Sequence, residues 1–259
     1  MPTLSYDLHV HPGPSAAPRW GDGRRVWDAA VAAGVHGLVW KAHERHTADL
    51  CRQLPQVPAR AIGSASLNPW ASPAGVIAAV ESGARWVWGP TTGPDGLIAW
   101  DLPLPDWWAE LAERLSQVRR RLVLATGHLA PAGRAEMAAL ASKHDHLVCS
   151  VTHSLFVGEA ELVQLHELGC RFEIDAYTLS VQIPGRNRME IARLMGALPS
   201  GEQLVYFTSD GGQRTTGNPF LFGASVLDDV AAGIGSEAAH QIAVDNPEAL
   251  VAWLDGGAG

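Results

Sequence analysis

The chain is short of basic charge. Its 19 Lys and Arg stand against 27 Asp and Glu, for a formal net charge of −8. A protein that tracks a nucleic-acid backbone needs a basic stripe. The compact basic groups here are Arg24-Arg25 and Arg119-Arg120-Arg121. The second ends a predicted helix, where cations meet the negative end of the helix dipole, so no nucleic-acid partner is expected. Cysteine is scarce too. Cys51, Cys149 and Cys170 are widely spaced and form no CxxC. That argues against a disulfide framework or a zinc knuckle and fits reduced thiols in a cytoplasm. No apolar run reaches the roughly 18 residues of a membrane span, and no basic-then-apolar leader opens the sequence, so no membrane partner is expected. No GxGxxG follows the first predicted strand, which argues against a dinucleotide-binding sheet.

What is present is regular. Hydrophobic residues make up 47% of the 259 residues, and β-rich runs alternate with helical runs from end to end. Strands are expected near residues 4–10, 36–41, 59–66, 84–89, 121–126, 147–152, 171–176 and 204–209, with helices between them. Eight β-α units in about 250 residues predict an α/β fold, a (β/α)8 TIM barrel. It forms a single domain over 1–259 with an extra C-terminal helix opening at Asn246-Pro247-Glu248. An open doubly wound sheet is the alternative. Five of the ten tryptophans (Trp86, Trp88, Trp100, Trp107, Trp108) crowd one stretch and are read as packing or as pocket lining. Exposed Trp patches would suit a homo-oligomer.

Barrel chemistry sits at the C-terminal ends of strands. The first strand ends Asp7-Leu8-His9-Val10-His11-Pro12-Gly13. Alternation puts His9 and His11 on one face, able to grip one divalent metal, and places Asp7 on that face as an orienting group. Later strands end with Lys41 and His43, with His128, with His153, with Glu173 and Asp175, and with Asp210. His128, His153 and Asp210 join His9 and His11 as candidate metal ligands. His46 is placed in the helix after the second strand. Lys41 has three readings: a carbamate bridging two cations, a contact to substrate, or an ion pair with Glu44 or Asp175. Strands 3 and 4 end in Leu67-Asn68-Pro69 and Gly89-Pro90-Thr91, without a ligand type.

HxH on strand 1, a central Lys, His on strands 5 and 6 and Asp on strand 8 resemble the amidohydrolase superfamily of metal-dependent barrel hydrolases. The segments Asp7-Leu8-His9-Val10-His11, Thr126-Gly127-His128, Val151-Thr152-His153-Ser154 and Thr208-Ser209-Asp210 carry the likeness, and Asp245-Asn246-Pro247-Glu248-Ala249-Leu250 looks like its closing helix. The usual carboxylated lysine comes from strand 4. Here the strand-end lysine is Lys41 on strand 2, similar to a poorly characterised branch of the superfamily. The resemblance implies one cation on His9, His11 and Asp210, a second on His128 and His153, and Lys41 bridging them as a carbamate. It implies zinc first, with Mn²⁺, Fe²⁺ and Co²⁺ accepting the same donors, and one or two ions per chain.

The implied reaction is hydrolysis of an amide, cyclic amide, lactone or related C–N or C–O bond of a small molecule. Asp210 would serve as base and then acid, and His43 or Arg214 would stabilise developing negative charge. Arg19, Arg186, Arg188 and Arg214 are the candidate substrate contacts. A phosphoric-ester hydrolase, a single-metal decarboxylase and a non-catalytic metal-binding barrel remain alternatives.

Overall fold

A computed structural model describes residues 4–183, 187–198 and 203–256. In chain order the elements are β1 (Tyr6–Val10), α1 (Gly23–Ala32), β2 (Gly37–Trp40), α2 (Ala48–Arg52), β3 (Arg60–Ile62), β4 (Ser64–Ser66), α3 (Pro73–Glu81), β5 (Trp86–Trp88), α4 (Trp108–Ser116), β6 (Leu122–Ala125), α5 (Pro131–Ala141) and β7 (Leu147–Val151). They continue with α6 (Glu159–Glu167), β8 (Arg171–Asp175), α7 (Asn187–Ala197), β9 (Val205–Thr208), α8 (Pro219–Ile234), α9 (Ser236–His240) and α10 (Asn246–Leu254). Every strand expected from the sequence is found within a residue or two, apart from one split. Among the described residues no helix is long and apolar enough to cross a membrane.

The pairing is parallel throughout. β1-β2-β3 form one sheet and β4-β5-β6-β7-β8-β9 another. The strand expected over 59–66 is the one that splits, into β3 and β4. Ser64 donates its N–H to Thr47 Oγ1 at 2.8 Å, and its carbonyl accepts the Thr47 N–H at 2.8 Å. The Ser64 backbone therefore serves the chain entering α2 and not the β2 ladder. Gly63 sits at the break, where a Cβ would lie 2.5 Å from the Ala48 Cα. The far edges meet as well: Val10 bridges Gly211, and His11 donates its N–H to the Gly211 carbonyl at 2.9 Å.

Strand alternation sorts side chains into two layers. Val87, Leu124, Phe172 and Phe207 face outward into a large core shared with the helices. Leu8, Val39, Ile62, Trp86, Trp88, Val123, Ala125 and Tyr206 form a second, inner cluster, closed from below by Leu250, Val251 and Leu254 of α10. Trp86 and Trp88 are fully buried there. Each removes roughly 200 Å² from water, about 5 kcal/mol on a transfer scale before chain entropy. Both indole N–H groups lack a partner, which returns roughly 1–3 kcal/mol apiece. Above this apolar floor the inner face turns polar, and that is where the site lies.

Candidate functional site

β1 carries a one-residue bulge. Asp7 pairs with Leu38 but Val10 pairs with Trp40, three steps against two. The bulge corrects the expected face of Asp7. Tyr6 and Leu8 join the inner cluster, while the Asp7 carboxylate turns to β9, accepting from Thr208 Oγ1 and from the Ser209 N–H at 3.0 Å. Past the bulge, His9 and His11 do share a face. His9 Nε2 lies 3.3 Å and His11 Nε2 3.0 Å from the same oxygen, Oδ1 of Asp210. Asp210 holds φ 44° just past β9, a left-handed conformation that costs a non-glycine residue about 1–3 kcal/mol. Gly212 lets the chain return, since a Cβ there would sit 2.6 Å from the His11 carbonyl oxygen.

The chemistry of this trio follows from its surroundings. Burial drives the pKa of both His9 and His11 well down, so both imidazoles are neutral. His9 Nδ1 lies 2.9 Å from Glu173 Oε1. A carboxylate there accepts a hydrogen bond from Nδ1–H and leaves the Nε2 lone pair, beside Asp210, free for a donor or a cation. Two imidazole nitrogens and a carboxylate oxygen thus converge on one small volume, a donor set that a divalent cation accepts. Burial also raises the pKa of Asp210 and lifts Glu173 to about 7.

Lys41 reaches the same place from β2. Its Nζ is 3.0 Å from His9 Nε2 and 4.4 Å above the Trp88 ring. Burial pulls its pKa to about 8 against the pull of Asp210, Glu173 and Asp175. Among the described residues Lys41 makes no ion pair. Glu44 instead accepts from Ser15 Oγ and the Ala16 N–H, and Asp175 accepts from Thr178 N–H beside His153. His43 stacks on His11 with ring centres 4.9 Å apart. Its Nδ1 lies 2.8 Å from Thr91 Oγ1. Asn68 accepts the N–H groups of Thr91 and Thr92 and donates through Nδ2 to the His43 carbonyl and to Thr91 Oγ1. Thr91 Oγ1 is thus shared between His43 Nδ1 and the Asn68 amide, whose Oδ1 lies 3.3 Å from it. Strands 3 and 4 therefore do contribute, through an amide and a hydroxyl that orient a neighbour's imidazole.

His153 and His128 hang from β7 and the turn after β6. His153 holds φ 52°, and its Nδ1 lies 2.9 Å from Asp175 Oδ2. Burial pulls its pKa down, but Asp175, helped by Asp210 and Glu173, outweighs burial and leaves it raised. His128 is the opposite: burial and the neighbouring His153 push it to about 2. Its Nδ1 lies 2.8 Å from the Ala99 carbonyl, and its ring stacks on Trp100 at 4.1 Å. The His128 and His153 rings are 5.2 Å apart, and His153 is 5.8 Å from His9. A cavity of about 460 Å³ opens here, lined by Trp100, His128, Thr152, His153 and Phe156, with Arg134 at its wall. Asp101, also on its wall, holds φ 53°, as left-handed as His153.

Six sequence candidates thus converge: His9, His11, Lys41, His128, His153 and Asp210. Glu173 and Asp175 were legible as a strand end in Phe172-Glu173-Ile174-Asp175, but their engagement of His9 and His153 was not. His153, Glu173 and Asp175 also bring ligand atoms within 4.8 Å of one another. Their hydrogen bonds already occupy them, so this group reads as a support for the imidazoles. Arg19 is half-buried, and Arg214 is exposed with its N–H on the Pro18 carbonyl. Arg186 and the Arg188 side chain lie outside the described residues. His46 precedes α2 and is not within it; it packs on Trp70.

Residues 5–99 match the model of a family of unknown function (DUF6282). No curated protein matches the chain. Among solved structures, a protein of Pseudomonas putida described provisionally as a 2-pyrone-4,6-dicarboxylic acid hydrolase aligns over 96% of this chain and 98% of its own, at 18% identity and a TM-score of 0.59. An Acinetobacter baumannii protein of the same provisional description, with citric acid bound, aligns over 96% and 99% at 11% identity and 0.63. The ochratoxinase of A. niger aligns over 95% of this chain and 70% of its own at 12% identity and 0.60. These likenesses establish an α/β fold with parallel sheets, of the kind those hydrolases share.

Proposed function

We propose that this chain is a metal-dependent hydrolase of a small molecule, cleaving a lactone, ester, amide or cyclic amide, on an eight-stranded barrel whose third strand is interrupted at Gly63. The observation that carries the reading is the convergence of His9 Nε2 and His11 Nε2 on Asp210 Oδ1, at 3.3 and 3.0 Å, between neutral imidazoles. The neighbours named as hydrolases support the reaction class.

His9, His11 and Asp210 would hold the first divalent cation, with zinc the best match to two imidazoles and a carboxylate. His128 and His153 would hold a second, with Lys41 between the two sets as a carbamate. A pKa near 8 leaves Lys41 enough neutral amine to react with carbon dioxide. A cation held there polarises a carbonyl and lowers the pKa of water beside it. The protein's own part is separate. Asp210, poised by burial with a raised pKa, takes the proton of the attacking water and delivers it to the leaving oxygen or nitrogen. His43 donates to the oxyanion that develops on the substrate carbonyl. Trp100 and Phe156 shield one wall of the cavity from water.

Metal content and turnover test this together. The chain purified without chelator is expected to hold one tightly bound transition-metal ion and to take a second when metal and bicarbonate are supplied. Hydrolysis of a lactone, ester and amide panel should vanish on chelation and return with metal. Aryl phosphoesters run in parallel separate the C–O and C–N reading from phosphoester hydrolysis. No bound metal, and no activity gained on adding it, would sink the proposal.

A further inference from the structure

The cations around the cavity differ in what they already hold. Arg134 is spent: it forms a fork on both oxygens of Glu161, and its remaining amine reaches the Leu129 carbonyl. Arg193 is spent likewise on Glu190 and on the carbonyls of Leu155 and Val157. Arg19 is different. Its Nε is buried with no acceptor in reach, and among the described residues it forms no ion pair. It lies within electrostatic range of Asp210 and Glu44 and interacts with His11 and His43. A guanidinium whose Nε–H is buried without an acceptor carries a desolvation cost that a bound acceptor would relieve.

The backbone of this residue is held in place. Trp20 donates its N–H to the Gly212 carbonyl and Arg214 donates its N–H to Pro18, so the loop after β1 is zipped to the loop after β9 around the Arg19–Gln213 bridge. Asp210 belongs to the second loop. The Arg19 main chain is thus tied to the same short segment as the group proposed to move protons.

The opposite side of the site is aromatic. From His11, next to Arg19, the imidazoles run through His9 to His153 and then to Trp100. Trp100 stacks on His128 and meets Phe156 edge-on at 5.4 Å. Trp100 stays 45% and Phe156 47% exposed. Large rings left open beside an ordered cavity are suited to a flat apolar partner.

We infer that the substrate is an anion with a planar ring: Arg19 receives its carboxylate while the ring lies along Trp100 and Phe156, which sets the bond to be cleaved over His9, His11 and Asp210. The inference rests on the hydrolase reading for what happens to the substrate, but not for how it is recognised. A guanidinium binds a carboxylate through two parallel N–H donors, a geometry that a neutral amide does not reproduce.

Binding of three probes to the zinc-loaded full chain, measured by calorimetry, tests it: benzoate, benzamide and cyclohexanecarboxylate. Benzoate is expected to bind at least about tenfold tighter than either of the others. Arg19→Gln should remove the preference for benzoate over benzamide and leave benzamide binding unchanged. Arg19→Lys, which keeps the charge and loses the fork, should retain part of it. Trp100→Leu should remove the preference for benzoate over cyclohexanecarboxylate while keeping the dependence on Arg19. Equal or absent binding of benzoate and benzamide overturns the inference. So does a preference that survives Arg19→Gln, because the carboxylate would then be held by the metal alone. Metal content of the same samples keeps the two readings apart. A chain that holds no metal yet shows the Arg19-dependent preference retains the anion site and loses the hydrolase.

Discussion

His9 and His11 meet at one oxygen of Asp210, whereas His128 and His153 share no carboxylate between them. In the first pair burial leaves both rings neutral. In the second, His153 faces Asp175 with a raised pKa while His128 is pushed to about 2. The two pairs use the same residue type at the C-terminal ends of strands, one pair on each sheet, yet they differ in what surrounds the rings. The first presents two imidazole Nε2 atoms to one carboxylate oxygen, with the Lys41 amine 3.0 Å from His9 Nε2. In the second, Asp175 stabilises the protonated form of His153, which competes with a cation for that ring. Ligand type alone therefore does not set metal affinity; the group behind each imidazole does.

Substituting Asp210 gives the largest expected effect on this contrast. Asp210→Asn should lower turnover by about 10³-fold and empty the first cation position in plasma mass spectrometry, with the circular dichroism spectrum unchanged. Retained turnover would place the base elsewhere. A smaller effect comes from the groups behind the rings. Glu173→Gln should weaken the tightly held ion about 10–100-fold, measured by competition with a chromophoric chelator. Asp175→Asn should spare that ion and weaken only the second. Equal effects of the two changes would erase the distinction between the pairs.

The smallest effect is on the stability of the metal-free chain, where the two carboxylates should act with opposite sign. Burial lifts Glu173 from 4.5 to about 7. Between those values the folded chain keeps a proton that the unfolded chain has lost, so its contribution to stability falls as pH rises across the window. Burial would also raise Asp175, but His153 and the Thr178 N–H outweigh it and hold the carboxyl low. Its contribution is present at neutral pH and is lost as pH falls through the folded-state value. At pH 8 Glu173→Gln should therefore raise the melting temperature, by roughly 1–3 kcal/mol or a few degrees, and Asp175→Asn should lower it. Calorimetry on chelator-treated protein reads both, and shifts of the same sign would contradict the picture.

Much of this was legible beforehand because its signals are local. Alternation, helix periodicity and strand-end punctuation located the strands and helices and brought six polar strand-end residues together. What escaped has no local signature. The bulge that turns Asp7 toward β9 depends on pairing with β2, and the break at Gly63 depends on the Thr47 hydroxyl taking the Ser64 N–H. Asn68 is no ligand type, yet its amide holds the His43 carbonyl and the Thr91 hydroxyl that faces the His43 ring. The Ala99 contact to His128 uses a main-chain carbonyl, which every residue possesses. The lysine on strand 2 was visible in the sequence; its approach to His9 was not.

The inner cluster has a consequence for how the molecule is made. Leu8 of β1 packs in a cluster whose lower boundary is Leu250, Val251 and Leu254 of α10. On the ribosome β1 emerges long before α10, and at roughly 5–20 residues per second that delay is tens of seconds. Throughout it Leu8, Trp86 and Trp88 lack their cover. Nascent chains arrested before and after residue 254 should thus differ sharply in chaperone capture and protease resistance, and the histidines of β1 gain a finished pocket only once α10 has emerged.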